Sequence, residues 1–93
     1  MKVVTLRFRE TDLVLLSLPT VFDSEDEDIF KATVSKICHL LSPGPSLRSL
    51  NVDVCDETGE LITTIAYNDY ELDFIDNIGN WYRGVKKLSD FIY

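Results

Sequence analysis

The alternation of hydrophobic and polar positions divides the chain into a short series of elements. Near the start, Val4, Leu6 and Phe8 alternate with Thr5, Arg7 and Arg9, a period of two that predicts a half-buried strand. Residues 13–18 are apolar almost without interruption, which predicts a returning strand covered on both faces. The polar residues 9–12 between them fit a hairpin turn, and Pro19 stops the pairing because it has no N–H to give a ladder. From Ser24 the period becomes helical. Ser24 and Glu27 form a capping-box pattern, further acids fill the first turn, and Phe30, Val34, Ile37 and Leu41 follow on one face until "SPGP" at 42–45 ends the helix.

The second half predicts the same order of elements. Leu50, Val52 and Val54 alternate with Asn51, Asp53 and Cys55, "DETGE" supplies a turn in which Gly59 takes positive φ, and "LITTIAY" is a β-branched returning strand. Asn68 and Glu71 repeat the capping-box spacing. Phe74, Ile78, Trp81, Val85, Leu88 and Ile92 then recur every four or three residues, with Ile75 and Tyr82 widening the stripe, so a second long helix is expected. Gly79 and Gly84 would each weaken it by about 1 kcal/mol. The expected fold is α+β in the order ββαββα, a four-stranded antiparallel sheet with two helices packed on one face. One domain covers 1–93, with a first ββα unit at 1–42, a linker at 43–48 and a second ββα unit at 49–93; the similar turns "RETD" and "DETG" hint at duplication.

Charge changes this picture more than composition does. The chain has 93 residues and a net charge of −7, a sign that opposes binding to a phosphate backbone. Residues 52–76 hold eight acidic side chains and no lysine or arginine. Turns and helix starts account for part of this, but surfaces usually mix signs. A one-signed face attracts an oppositely charged partner. The expected partner-binding residues are Asp53, pointing outward from a strand, Asp56, Glu57 and Glu60 around the glycine turn, and Asp73 and Asp76 on the exposed side of the second helix. The expected partner is a basic protein surface, without direct nucleic-acid or membrane binding, and the chain itself a monomer or weak homo-oligomer.

Catalytic chemistry finds little support. Cys38 and the single histidine, His39, are sequence neighbours whose side chains diverge on a helix, and two cysteines with one histidine do not make a structural zinc site. The acids around Gly59 lack the spacing of a calcium-binding EF-hand loop, and no glycine is followed by lysine in a phosphate-binding pattern. No nucleophile, base and orienting group can be named together. The expectation is therefore a non-enzyme without cofactor or metal. Two cysteines do not form a disulfide framework and the start lacks the apolar stretch of a signal peptide, which points to a cytoplasmic setting.

The string "DETGELITTIAYNDYEL" resembles the acidic loop of PB1 domains, and the order ββαββ agrees with that family. The resemblance implies that Asp56, Glu57, Glu60 and Asp69 are acidic contacts for a second such domain, with Lys2, Arg7 or Arg9 as the basic counterpart. The composition as a whole is that of small inhibitors and immunity proteins that neutralise basic partners such as nuclease toxins, and this is the leading functional expectation, with PB1-like assembly as the alternative.

Overall fold

A computed structural model describes residues 2–41, 50–68, 71–83 and 88–92. Six strands form one antiparallel sheet: β1 (Lys2–Glu10), β2 (Leu13–Phe22), β3 (Leu50–Cys55), β4 (Leu61–Asn68), β5 (Glu71–Ile75) and β6 (Trp81–Arg83), in the spatial order β2-β1-β3-β4-β5-β6. Among the described residues one α-helix, α1 (Glu27–Leu41), follows β2, and short 3₁₀ turns lie at Ser24–Asp26 and Leu88–Asp90.

Period two decides which face each strand buries. Val4, Leu6 and Phe8 of β1, Leu50, Val52 and Val54 of β3, Ile65 and Tyr67 of β4 and Phe74 of β5 all turn to the α1 side. The register brings them together in rows, with Phe8 opposite Val52, Val52 opposite Ile65 and Ile65 opposite Phe74. Onto this face α1 presses Phe30, Val34 and Cys38, and Phe30 meets Phe22 edge-on with ring centroids 5.3 Å apart. Full burial of side chains of this size stabilises the fold by about 1.5–3 kcal/mol each.

The expected four-stranded sheet with two helices is corrected by this arrangement. In place of a second helix the chain forms β5, a tight loop and β6. Leu72 and Phe74 follow the strand period, not the helical one, and Gly79 at φ +94° has a backbone no α-helix accommodates. Ile78 and Trp81, expected in a buried helical stripe, are exposed, while Val85 lies outside the described residues. Asn68 and Glu71 are cross-strand partners of β4 and β5 instead of a capping box. The role of the absent helix in covering the core falls to the C-terminal 3₁₀ turn. Leu88 and Ile92 are buried there, and Phe91 stacks on Phe74 at 5.7 Å and meets Tyr82 edge-on at the same distance.

Two smaller expectations also change. Asp23, not Ser24, caps the first helical segment, accepting from the Glu25 N–H at 3.1 Å. Glu27 turns inward, where its carboxylate accepts from the Ser89 hydroxyl at 3.0 Å and from the Ser89 N–H at 3.3 Å, joining α1 to the C-terminal turn. And β2 is not an inner strand. It forms an edge of the sheet, with Leu13, Val14, Leu15 and Leu16 exposed, since nothing packs on its outer side among the described residues. Pro19 does not stop its pairing: it stands opposite Thr5 and the strand runs on to Phe22, because on an edge strand the missing N–H can face away from the neighbour.

Candidate functional site: the acidic end of the sheet

Antiparallel pairing sets which loops share an end of the sheet. Strands β2, β3 and β5 run the same way, so the β3–β4 loop, the β5–β6 loop and the β2–α1 connection leave the sheet at the same end. That end carries Asp56, Glu57, Glu60 and Asp76, together with the acid-rich start of α1: Asp23, Glu25, Asp26 and Asp28.

The two hairpin loops are built alike. In "DETGE" the Asp56 Oδ1 accepts from the Thr58 N–H at 2.9 Å, the Thr58 hydroxyl at 2.6 Å and the Glu60 N–H at 2.9 Å. In "DNIGN" the Asp76 Oδ1 accepts from the Ile78 N–H at 3.0 Å and the Asn80 N–H at 2.9 Å, while its Oδ2 accepts from Asn80 Nδ2 at 3.1 Å and the Tyr82 hydroxyl at 3.0 Å. Backbone bonds match as well: Gly59 donates to the Asp56 carbonyl and Gly79 to the Asp76 carbonyl, and each aspartate N–H donates to the residue four positions on. Both glycines have positive φ, +86° and +94°. An aspartate able to bond its own turn and a glycine three residues later are what such a loop requires.

These bonds set the electrostatics of the loops. The hydrogen bond from the Thr58 side chain, helped by backbone N–H donors, holds the Asp56 carboxyl below its ordinary range. At Asp76 desolvation works upward, but the donors from Asn80, Ile78 and Tyr82 outweigh it and the carboxyl is lowered. Tyr82 is raised, chiefly because its hydroxyl donates to Asp76. Asp56 and Asp76 therefore stay ionised and fixed, whereas Glu57 and Glu60 stand exposed beside them. Next to the first loop lies an open depression of about 410 Å³ lined in part by Lys2, Val3, Asp56, Glu57, Ile62 and Ile92.

Of the six acids expected to bind a partner, Asp56, Glu57, Glu60 and Asp76 thus share the acidic end, the last from a loop and not from a helix. Asp53 and Asp73 do not join them. They lie on the sheet face opposite α1, in adjacent rows. Asp53 is buried: Arg9 Nε donates to its Oδ2 at 2.9 Å, Arg7 approaches to 4.0 Å, and the Thr64 hydroxyl donates to Oδ1 at 3.1 Å. The compensating cations missing from its stretch of sequence are supplied in space by β1. Asp73 is half-buried on β5, and Asp69 lies outside the described residues. In the sequence the acids of α1 read as a helix start and "DNIGN" falls inside a helical stripe; its likeness to "DETGE" is the signal that marks it as a loop.

The cysteines lie on opposite sides of the sheet. Cys38 is packed between α1 and the core, where burial pushes its thiol up to about 12. Cys55 follows the inward Val54 on β3, and burial again raises it, opposed by Arg7 and assisted by Asp53 and Asp56. Among the described residues no three His, Cys, Asp or Glu side chains are grouped to hold a metal ion, and no helix is long and apolar enough to cross a membrane. The chain matches no protein-family model, no curated protein and no solved structure.

Proposed function

We propose that the chain is a non-catalytic protein-binding module whose acidic end docks on a basic protein surface, acting as an inhibitor or immunity protein for a basic partner such as a nuclease toxin. The observation behind this reading is the convergence of two like-built loops and the start of α1 on one end of the sheet, which concentrates ionised carboxylates separated by long stretches of sequence. Charge gathered on a rigid frame steers a cationic partner and loses little entropy on binding.

The PB1-like alternative needs a basic surface on the same chain. Arg7, on β1 with 43% of its side chain exposed, is the residue that favours it, whereas Arg9 is engaged with Asp53. The test is to immobilise the chain, recover proteins from its source, and compare the parent with the double reversal Glu57→Lys, Glu60→Lys. A basic partner, bound at least tenfold more weakly by the reversed chain and released by rising salt, supports the inhibitor reading. Salt-sensitive assembly of the chain with itself, abolished by the same reversal, favours the PB1-like reading. A partner that binds both forms equally removes the acidic end from the interface.

A further inference from the structure

We infer that β2 is a self-association edge, and that two copies of this chain pair antiparallel through it to form one continuous sheet. A sheet edge presents unpaired N–H and C=O groups, which proteins guard with charged side chains, bulges, proline or brevity. The two edges here are guarded differently: β6 has only three residues among those described, whereas β2 has ten, guarded by a register shift at Leu15 and by Pro19 but with no charged side chain in residues 13–22. Leu13 is 63% exposed and Val14 50%, and Leu15 and Leu16 continue the apolar strip.

The edge has a definable pairing-competent stretch. Pro19 pairs opposite Thr5 and, having no N–H, suits a position whose donor would face away from β1. It removes one donor from the free side, so the usable part lies within residues 13–18, in two pieces on either side of Leu15. The register shift beside Phe8 makes Leu15 an extra residue there, a local distortion that spares the stretch from Leu16 onward. Side chains at 17 and 19 share an orientation, so Ser17, exposed and opposite Arg7, turns its backbone donor outward as well, and so does Val14, which beyond the bulge stands opposite Arg9, the residue of β1 oriented like Arg7.

A second copy is the occupant these features select. An uncharged strand holds nothing to choose a charged partner, but it is self-complementary under a two-fold axis. Residues 2–22 carry three basic and two acidic side chains, net +1, in a chain of net charge −7, so pairing here joins the molecules at their least acidic part. Each copy contributes one long edge, and its other edge spans three of the described residues, so association closes at the dimer.

The test is sedimentation equilibrium of the full chain over a range of concentrations, with hydrogen exchange at Val14 and Ser17. The expected result is a monomer–dimer equilibrium that persists in high salt, with amide protection at these two residues rising with concentration. Ser17→Lys, which adds a guarding charge, and Ser17→Pro, which removes the outward donor, should each weaken dimerisation at least tenfold. Protection in the parent chain reads the interface even if a variant folds poorly. A chain that stays monomeric, a dimer without concentration-dependent protection at Val14 and Ser17, or one disrupted by salt and by reversal of Glu57 and Glu60 would overturn the inference. The last outcome would leave the acidic-end reading standing.

Discussion

Arg9 holds Asp53 diagonally. Its Nε lies 2.9 Å from the Asp53 carboxylate although Arg9 is paired with Asn51, while Arg7, directly opposite Asp53, remains 4.0 Å away. With Thr64 donating to the other oxygen, a charge expected to serve a partner is consumed by the sheet itself.

Substitution should therefore separate Asp53 from the other acids. Asp53→Ala is expected to cost about 1–3 kcal/mol by stripping the partner from Arg9 and Thr64, and Asp53→Lys more, since it buries a cation beside two others. Glu57→Lys and Glu60→Lys should hardly move the unfolding midpoint. Urea titrations of the four variants give the comparison.

The like-built loops should respond alike. No heavy atom lies within 4 Å of a Cβ added at Gly59 or Gly79, so Gly→Ala at either site meets only the backbone penalty of positive φ, about 1–2 kcal/mol. Asp56→Ala and Asp76→Ala should both lower the melting temperature, Asp76→Ala by more because it also removes an acceptor of the Tyr82 hydroxyl. Unequal glycine effects would show that one loop is held by something other than its turn.

The direction of the pKa shifts sets the pH window. Asp56 and Asp76 are lowered in the folded chain, so their contribution is complete above the ordinary carboxylate value of about 4 and is lost as pH falls through their folded values. Cys38 is raised from 9.0 to about 12 and Tyr82 is raised above its ordinary value, so their contributions are complete below the ordinary values and are lost as pH rises through the folded ones. Thermal melts should show a plateau between about pH 5 and 8, with Asp76→Ala flattening the acid limb and Cys38→Ala the alkaline limb.

Trp81 and Phe74 reverse the ranking that a helical stripe implies. Trp81 is 54% exposed at the start of β6, so Trp81→Ala should cost less than about 1 kcal/mol. Phe74 is buried against Ile65 and Phe91, and Phe74→Ala should cost about 3–5 kcal/mol. Equilibrium unfolding of both variants checks the order.

By itself the sequence determined the elements whose signals are local. β1, α1 and β3 follow from period and β4 from its β-branched residues, and Gly59 marks its turn because positive φ comes readily to a residue without a Cβ. The same local logic failed after Asn68, where Phe74, Ile78, Trp81, Leu88 and Ile92 satisfy a helical spacing and the strand period of Leu72 and Phe74 is too short to compete. Only tertiary structure could choose there, because β5 gains its ladder from β4 and its buried face from the layer that Phe91 and Leu88 complete. The acids show the same division. Their abundance in residues 52–76 is a fact of the sequence, but a local reading sees neither the two arginines on β1 that meet Asp53 nor the start of α1 that shares an end with Asp56 and Asp76. Charges interact through space, and the order of strands in the sheet decides which of them meet.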